Sequence, residues 1–145
     1  MAVDADRSDP DELFGIDALL SDEERAIRDS VRALVQARVV PHVQRWYEDG
    51  DLPVRKLALE LGKIGVLGMH LQGYGCSGTS SLAYGLACME LEAGDSGIRS
   101  LVSVQGSLAM YAIYAYGSDA QKQKWLPRMA TGEELGCFGL TEPDF

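Results

Sequence analysis

Apolar residues recur at Ile27, Val31, Leu34 and Val35 with charged positions between them, the 3.6-residue period of a half-buried helix. Ser21 and Glu24 stand at the spacing of a capping box, which sets the start of that helix. Pro41 ends or kinks it, because proline lacks the N–H and disfavours helical geometry at Val40. A short helical stretch follows to Tyr47, then a loop at Asp49, Gly50 and Asp51. Pro53 begins another helix carrying Leu57, Leu61 and Ile64, which fades at Gly65 and Gly68. Residues 72–79 hold three glycines and read as a loop; Ser80 or Ser81 caps the next helix, expected to reach about Ala93.

The segment 94–97 breaks that helix, and positions 100–118 then contain no charged residue. Their length would allow a membrane span. Ser103, Gln105, Gly106, Ser107 and Gly117 dilute the apolarity, and flanking interfacial anchors are missing, so a central buried helix is expected and no span. Ser118 and Gln121 form a second capping box for a helix through Trp125 to about Ala130. Residues 135–140 change period and read as a strand, the first in the chain. The expected fold is therefore all-α: an acidic tail over 1–19, a helical domain over 20–132, and the start of a β domain over 133–145. A lone strand has nothing to bond, so the chain is expected to be a fragment of a larger protein.

Composition narrows the function classes. Nine acidic residues precede Arg25 against Arg7 alone, whereas the remaining thirteen acids face twelve bases, so all but one of the nine net negative charges lie in the N-terminal part, which reads as a solvated tail. Without a basic stripe, no nucleic-acid partner is expected. The N-terminus lacks the pattern of a secretory signal and is too acidic for a mitochondrial transit peptide. Cys76, Cys88 and Cys137 are an odd count without metal-like spacing, which reads as reduced thiols in a cytoplasmic protein. His42 and His70 lie far apart with no carboxylate or thiol at ligand spacing, so no metal site is expected.

No self-sufficient catalytic set is present. Gly73, Gly75 and Gly78 spell a dinucleotide fingerprint, but they follow a helix where that motif needs a strand. Arg99 is the informative residue. It stands where the uncharged helix begins, so the helix dipole disfavours it while free backbone N–H groups converge nearby. Arg99 and those donors would receive a carboxylate or phosphate; the bland alternative is a salt bridge to Asp95 or a nearby Glu. Ser100 is either the helix cap or a further donor. Glu142 has no partner to make it a base, and Met110, Tyr111, Tyr114 and Tyr116 read as helical core.

Residues 137–143, Cys-Phe-Gly-Leu-Thr-Glu-Pro, resemble the flavin-contacting segment of the acyl-CoA dehydrogenases, as does their lead-in through 116–119, 123–127 and 132–133. Segments 95–105 and 113–117 are more similar to the glutaryl-CoA branch of that family than to the fatty-acyl branches. The resemblance implies FAD as cofactor, lined by Phe138, Gly139, Leu140 and Thr141, with Glu142 and Pro143 shaping the turn beside it. It implies that Arg99 and Ser100 hold the distal carboxylate of a glutaryl-CoA substrate, which is oxidised and decarboxylated to crotonyl-CoA. It further implies a homotetramer and an electron-transfer flavoprotein as acceptor. The catalytic base of the family belongs to a C-terminal helical domain, so none of these residues is assigned that role and this polypeptide alone is expected to be inactive. Two other readings stay open: a dehydrogenase of another acyl-CoA, and a non-catalytic helical interaction module.

Overall fold

Ser21 begins the first long helix as its spacing requires. Its hydroxyl accepts the Glu24 N–H at 3.2 Å, and Glu24 accepts the Ser21 N–H at 2.9 Å. The structure, a computed structural model, describes residues 15–144. Most of the acidic tail, residues 1–14, lies outside the described residues, as does Phe145. Helix α1 spans Asp22–Arg38. Ordered structure reaches further back than residue 20, because Ile16–Leu19 form a 3₁₀ turn ahead of it. Asp17 pairs with the buried Arg28, and Arg25 donates to the Asp17 and Leu20 carbonyls at 2.6 Å each. The Arg28 bond holds the Asp17 carboxyl below its usual range.

Helix α2 (Val43–Asp49) ends at Gly50, whose φ of 64° is the left-handed conformation that closes a helix. Helix α3 (Val54–Lys63) follows Pro53, and the glycine loop leads to α4 (Ser81–Gly94), capped by the Ser80 hydroxyl. The loop connects two helices, so its glycine triplet sits outside any strand–turn–helix context. Asp95 then caps α5 (Ser96–Ser103). The backbone continues in helical geometry through a π segment, Val104–Met110, into α6 (Tyr111–Tyr116). Together these form the central helix. The second capping box, Ser118 with Gln121, opens α7 (Asp119–Ala130).

The main core gathers Val31 and Val35 of α1, Leu57 and Leu61 of α3, Leu91 of α4, and Ile98 and Val102 of α5. Helices α1 and α4 approach closely at Gly94, where an added Cβ would lie 2.5 Å from Val35 Cγ1. Arg32 of α1 also clasps the buried Glu90 of α4 with two bonds, at 2.9 and 2.8 Å. A second core cluster joins Leu71 and Met110 to Leu126, Met129 and Ala130 of α7.

Two expectations differ from the structure. The central helix is buried along one side only: Met110 is fully enclosed, whereas Leu108, Tyr111 and Tyr116 are exposed. Residues 135–140, expected as a strand, run without a ladder among the described residues. A β conformation is stabilised by pairing, and among the described residues no neighbouring strand lies alongside to pair with. Among the described residues no helix is long and apolar enough to cross a membrane.

Candidate functional site

Four-residue spacing aligns side chains on one helical face. Arg99, Ser103 and Ser107 share such a face of the central helix, and Tyr84, Cys88 and Glu92 share one on α4. The two stripes meet as a polar seam. Arg99 Nε donates to Glu92 Oε2 at 2.5 Å and its Nη1 to Ser103 Oγ at 3.3 Å. Tyr84 Oη and Ser107 Oγ lie 2.9 Å apart at the other end. His70, just ahead of the glycine loop, tilts against the Tyr84 ring with centroids 4.9 Å apart. Its Nδ1 is buried without a hydrogen-bond partner. Burial lowers the His70 pKa and raises those of Tyr84 and Cys88, because each charged form would lose hydration.

Arg99 itself sits differently from expectation. Helix α5 starts at Ser96, so Arg99 lies at its fourth position. The helix N-terminus is answered from within: Asp95 Oδ1 accepts the Ile98 N–H at 3.0 Å, and the Asp95 carbonyl accepts the Arg99 N–H at 3.2 Å. The predicted nest of free backbone donors is therefore filled by Asp95, which is also the helix cap in place of Ser100. The Arg99 guanidinium takes the ion-pair alternative, with Glu92 as partner rather than Asp95. The Glu92 bond holds the Arg99 pKa up. At 35 % side-chain exposure the guanidinium remains within reach of an incoming anion. Ser100 is half-buried, and its carbonyl accepts the Ser103 hydroxyl at 3.2 Å.

The other candidate residues lie on the extended segment after α7. Phe138, Gly139, Leu140, Thr141, Glu142 and Pro143 are all exposed. Phe138 and Leu140 are 50 % and 77 % exposed, and a Cβ at Gly139 would meet nothing within 4 Å. Phe138 lines a groove of about 590 Å3 with Ile113, Tyr116, Trp125, Leu135 and Cys137. A segment outside regular secondary structure, carrying two bared apolar side chains, suits the edge of a flat heterocycle. Arg99 and Ser100 do not line this groove. The two groups are joined through the central helix.

That junction is Gln105, which in the sequence alone only dilutes the apolarity of the helix. Buried to 1 % exposure, its amide donates to the Met129 carbonyl at 3.0 Å and the Glu134 carbonyl at 2.8 Å. Its carbonyl accepts the Gly136 N–H at 2.8 Å. The available signal was a lone carboxamide in an uncharged helix, which needs partners if buried. Glu92 was legible only as one of the nearby acids, since the chain turns at Asp95 before bringing it back to Arg99.

Comparison with known proteins places this geometry. The model of the acyl-CoA dehydrogenase N-terminal domain matches residues 21–133. Glutaryl-CoA dehydrogenase of Desulfococcus multivorans is 31% identical over 132 residues, 89% of this chain and 34% of that protein. The crystal structure of glutaryl-CoA dehydrogenase from Mycobacterium smegmatis superposes with a TM-score of 0.91 at 70% identity, covering 96% of this chain and 36% of that one. A second glutaryl-CoA dehydrogenase structure from Mycobacterium smegmatis, in complex with FADH2, gives a TM-score of 0.90 at 62% identity over 94% of this chain and 35% of that one. The chain thus spans about a third of the length of these relatives. With most of its helical region matched by the family's own domain, the chain belongs to the acyl-CoA dehydrogenase family.

Proposed function

We propose that this chain forms the helical, ligand-facing part of an FAD-dependent enzyme that oxidises and decarboxylates glutaryl-CoA to crotonyl-CoA. The observation that carries the reading is the polar seam. A guanidinium and a row of hydroxyls on the central helix suit a ligand that carries a distal carboxylate. Arg99 supplies a charge-assisted donor for that carboxylate and Ser100 a further one, in competition with Glu92. FAD, when bound, supplies the two-electron acceptor for the hydride leaving the β-carbon. Phe138 to Thr141 offer it backbone groups and the Thr141 hydroxyl, while Glu142 and Pro143 shape the following turn. No carboxylate of this chain is assigned the proton abstraction. An electron-transfer flavoprotein as acceptor and a homo-oligomeric, tetrameric assembly complete the reading.

One observation favours a second reading, oxidation of another acyl-CoA. Arg99 already has a carboxylate partner in Glu92, so the pair is self-consistent without a ligand. The deciding experiment uses the complete polypeptide that carries this chain. Glutaryl-CoA is expected to bleach its flavin absorbance and release CO2. A flavin-loaded protein that glutaryl-CoA leaves unbleached while another acyl-CoA bleaches it favours the second reading, and absence of bound flavin defeats both.

A further inference from the structure

Gln105 holds more than its own fold. It lies in the π segment Val104–Met110, on the same helix as Arg99 and six positions further on, roughly 9 Å along the axis. Its three hydrogen bonds all go to the stretch that leads into the exposed segment: Met129 at the end of α7, Glu134, and the Gly136 N–H. The same stretch is pressed onto the helix by shape. A Cβ at Gly136 would lie 2.4 Å from Ala109 Cβ and 2.8 Å from Met129 Cε, so only glycine lets the backbone approach this closely. At Gly132, whose φ is 79°, a Cβ would lie 2.3 Å from the Ala58 carbonyl oxygen.

Among the described residues no strand lies beside 135–140, and the Gln105 carboxamide stands in for one at their beginning. A carboxamide presents the same donor and acceptor pair as a peptide group. Segments of π-helix recur where a helix must place a side chain out of its regular phase, frequently at functional sites.

We propose that Gln105 is a positioning residue that fixes the height of the Phe138–Thr141 segment against the helix bearing Arg99. It thereby sets the distance between the flavin edge and the reacting carbons of an acyl group whose far end is held at Arg99. The inference rests on the proposed function. It adds that one amide couples the cofactor side of the site to the ligand side, through a helix that touches both.

The test uses the complete flavin-loaded protein and two variants. Gln105→Leu keeps the volume but leaves the Glu134 carbonyl and Gly136 N–H without partners. It is expected to weaken flavin binding about tenfold, shift the visible flavin spectrum, and lower kcat with little change in the KM for glutaryl-CoA. Gly136 amide hydrogen exchange, read without reference to flavin, is expected to accelerate in the same variant. Gln105→Glu separates positioning from bulk packing. Protonated, its carboxyl offers one donor and one acceptor; ionised, it opposes two carbonyls. Its flavin spectrum is therefore expected to return toward wild type on going from about pH 8 to about pH 6, reversibly. A Gln105→Leu protein with wild-type flavin affinity and spectrum overturns the inference alone. Should Gln105→Leu fail to fold, a pH-independent Gln105→Glu spectrum overturns it. A wild-type protein that holds no flavin overturns the proposed function, and the inference with it.

Discussion

Arg99 and Glu92 face each other at 2.5 Å across the turn made by Asp95, the last acid of α4 answering the only cation of the central helix. Both side chains are partly exposed, so the pair is screened by solvent and weak. A bond this weak can yield to a better-placed carboxylate. Glu92→Gln removes the competitor and keeps the shape. In the complete enzyme it is expected to lower the KM for glutaryl-CoA by less than about fivefold, leaving butyryl-CoA unchanged. Steady-state kinetics with both thioesters check this.

Arg32 and Glu90 form the opposite case. Glu90 is almost wholly enclosed between α1 and α4, and removing its cation leaves a carboxylate in a poorly hydrated place. Arg32→Met is expected to reduce the free energy of unfolding by about 2 kcal/mol, the partial exposure of Arg32 keeping the loss below that of a fully buried pair. Urea titration followed by circular dichroism measures it.

Burial places the His70 pKa below the ordinary imidazole value of 6.5. The unfolded chain therefore takes up this proton at higher pH than the folded one. The resulting stability is complete above the unfolded pKa and is lost as the pH falls from there through the folded pKa. His70→Asn abolishes this dependence, and since Nδ1 has no partner, no hydrogen bond is sacrificed there. The urea midpoint of the wild type is expected to fall between about pH 7 and about pH 5 more steeply than that of His70→Asn. Parallel slopes would contradict the assignment.

Gly136→Ala forces a methyl against Ala109 and Met129. Overpacking of this kind costs about 1–3 kcal/mol, and the strain can be relieved only by lifting the extended segment from the central helix. Lower thermal stability together with faster thiol labelling at the neighbouring Cys137 is the expected pair of outcomes.

Local chemistry made most of the fold legible. The two capping boxes at Ser21 and Ser118 carry their own hydrogen-bonding logic, and both form as read. The helix breaks at Gly50, Gly65 and Asp95 follow equally from backbone preference. Residues 135–140 form no strand among the described residues, because a change of period reports a tendency, whereas a ladder needs a partner that sequence position does not supply. Exposure of Leu108, Tyr111 and Tyr116 was invisible for a related reason: an apolar helix does not say which of its sides this chain covers. At the site, Arg99 stood out because it was alone. Its partner Glu92 and the clamp Gln105 depend on contacts between elements, and those lie beyond any local pattern.

Selectivity between a dicarboxylic and a monocarboxylic thioester tests the central claim most directly. In the complete enzyme, kcat/KM for glutaryl-CoA and butyryl-CoA is compared in wild type and Arg99→Ala. Loss of one charge-assisted contact is expected to cut the glutaryl-CoA value about 10- to 100-fold while butyryl-CoA turnover holds steady. Equal losses with both thioesters would make Arg99 a structural residue and remove the carboxylate site from the account.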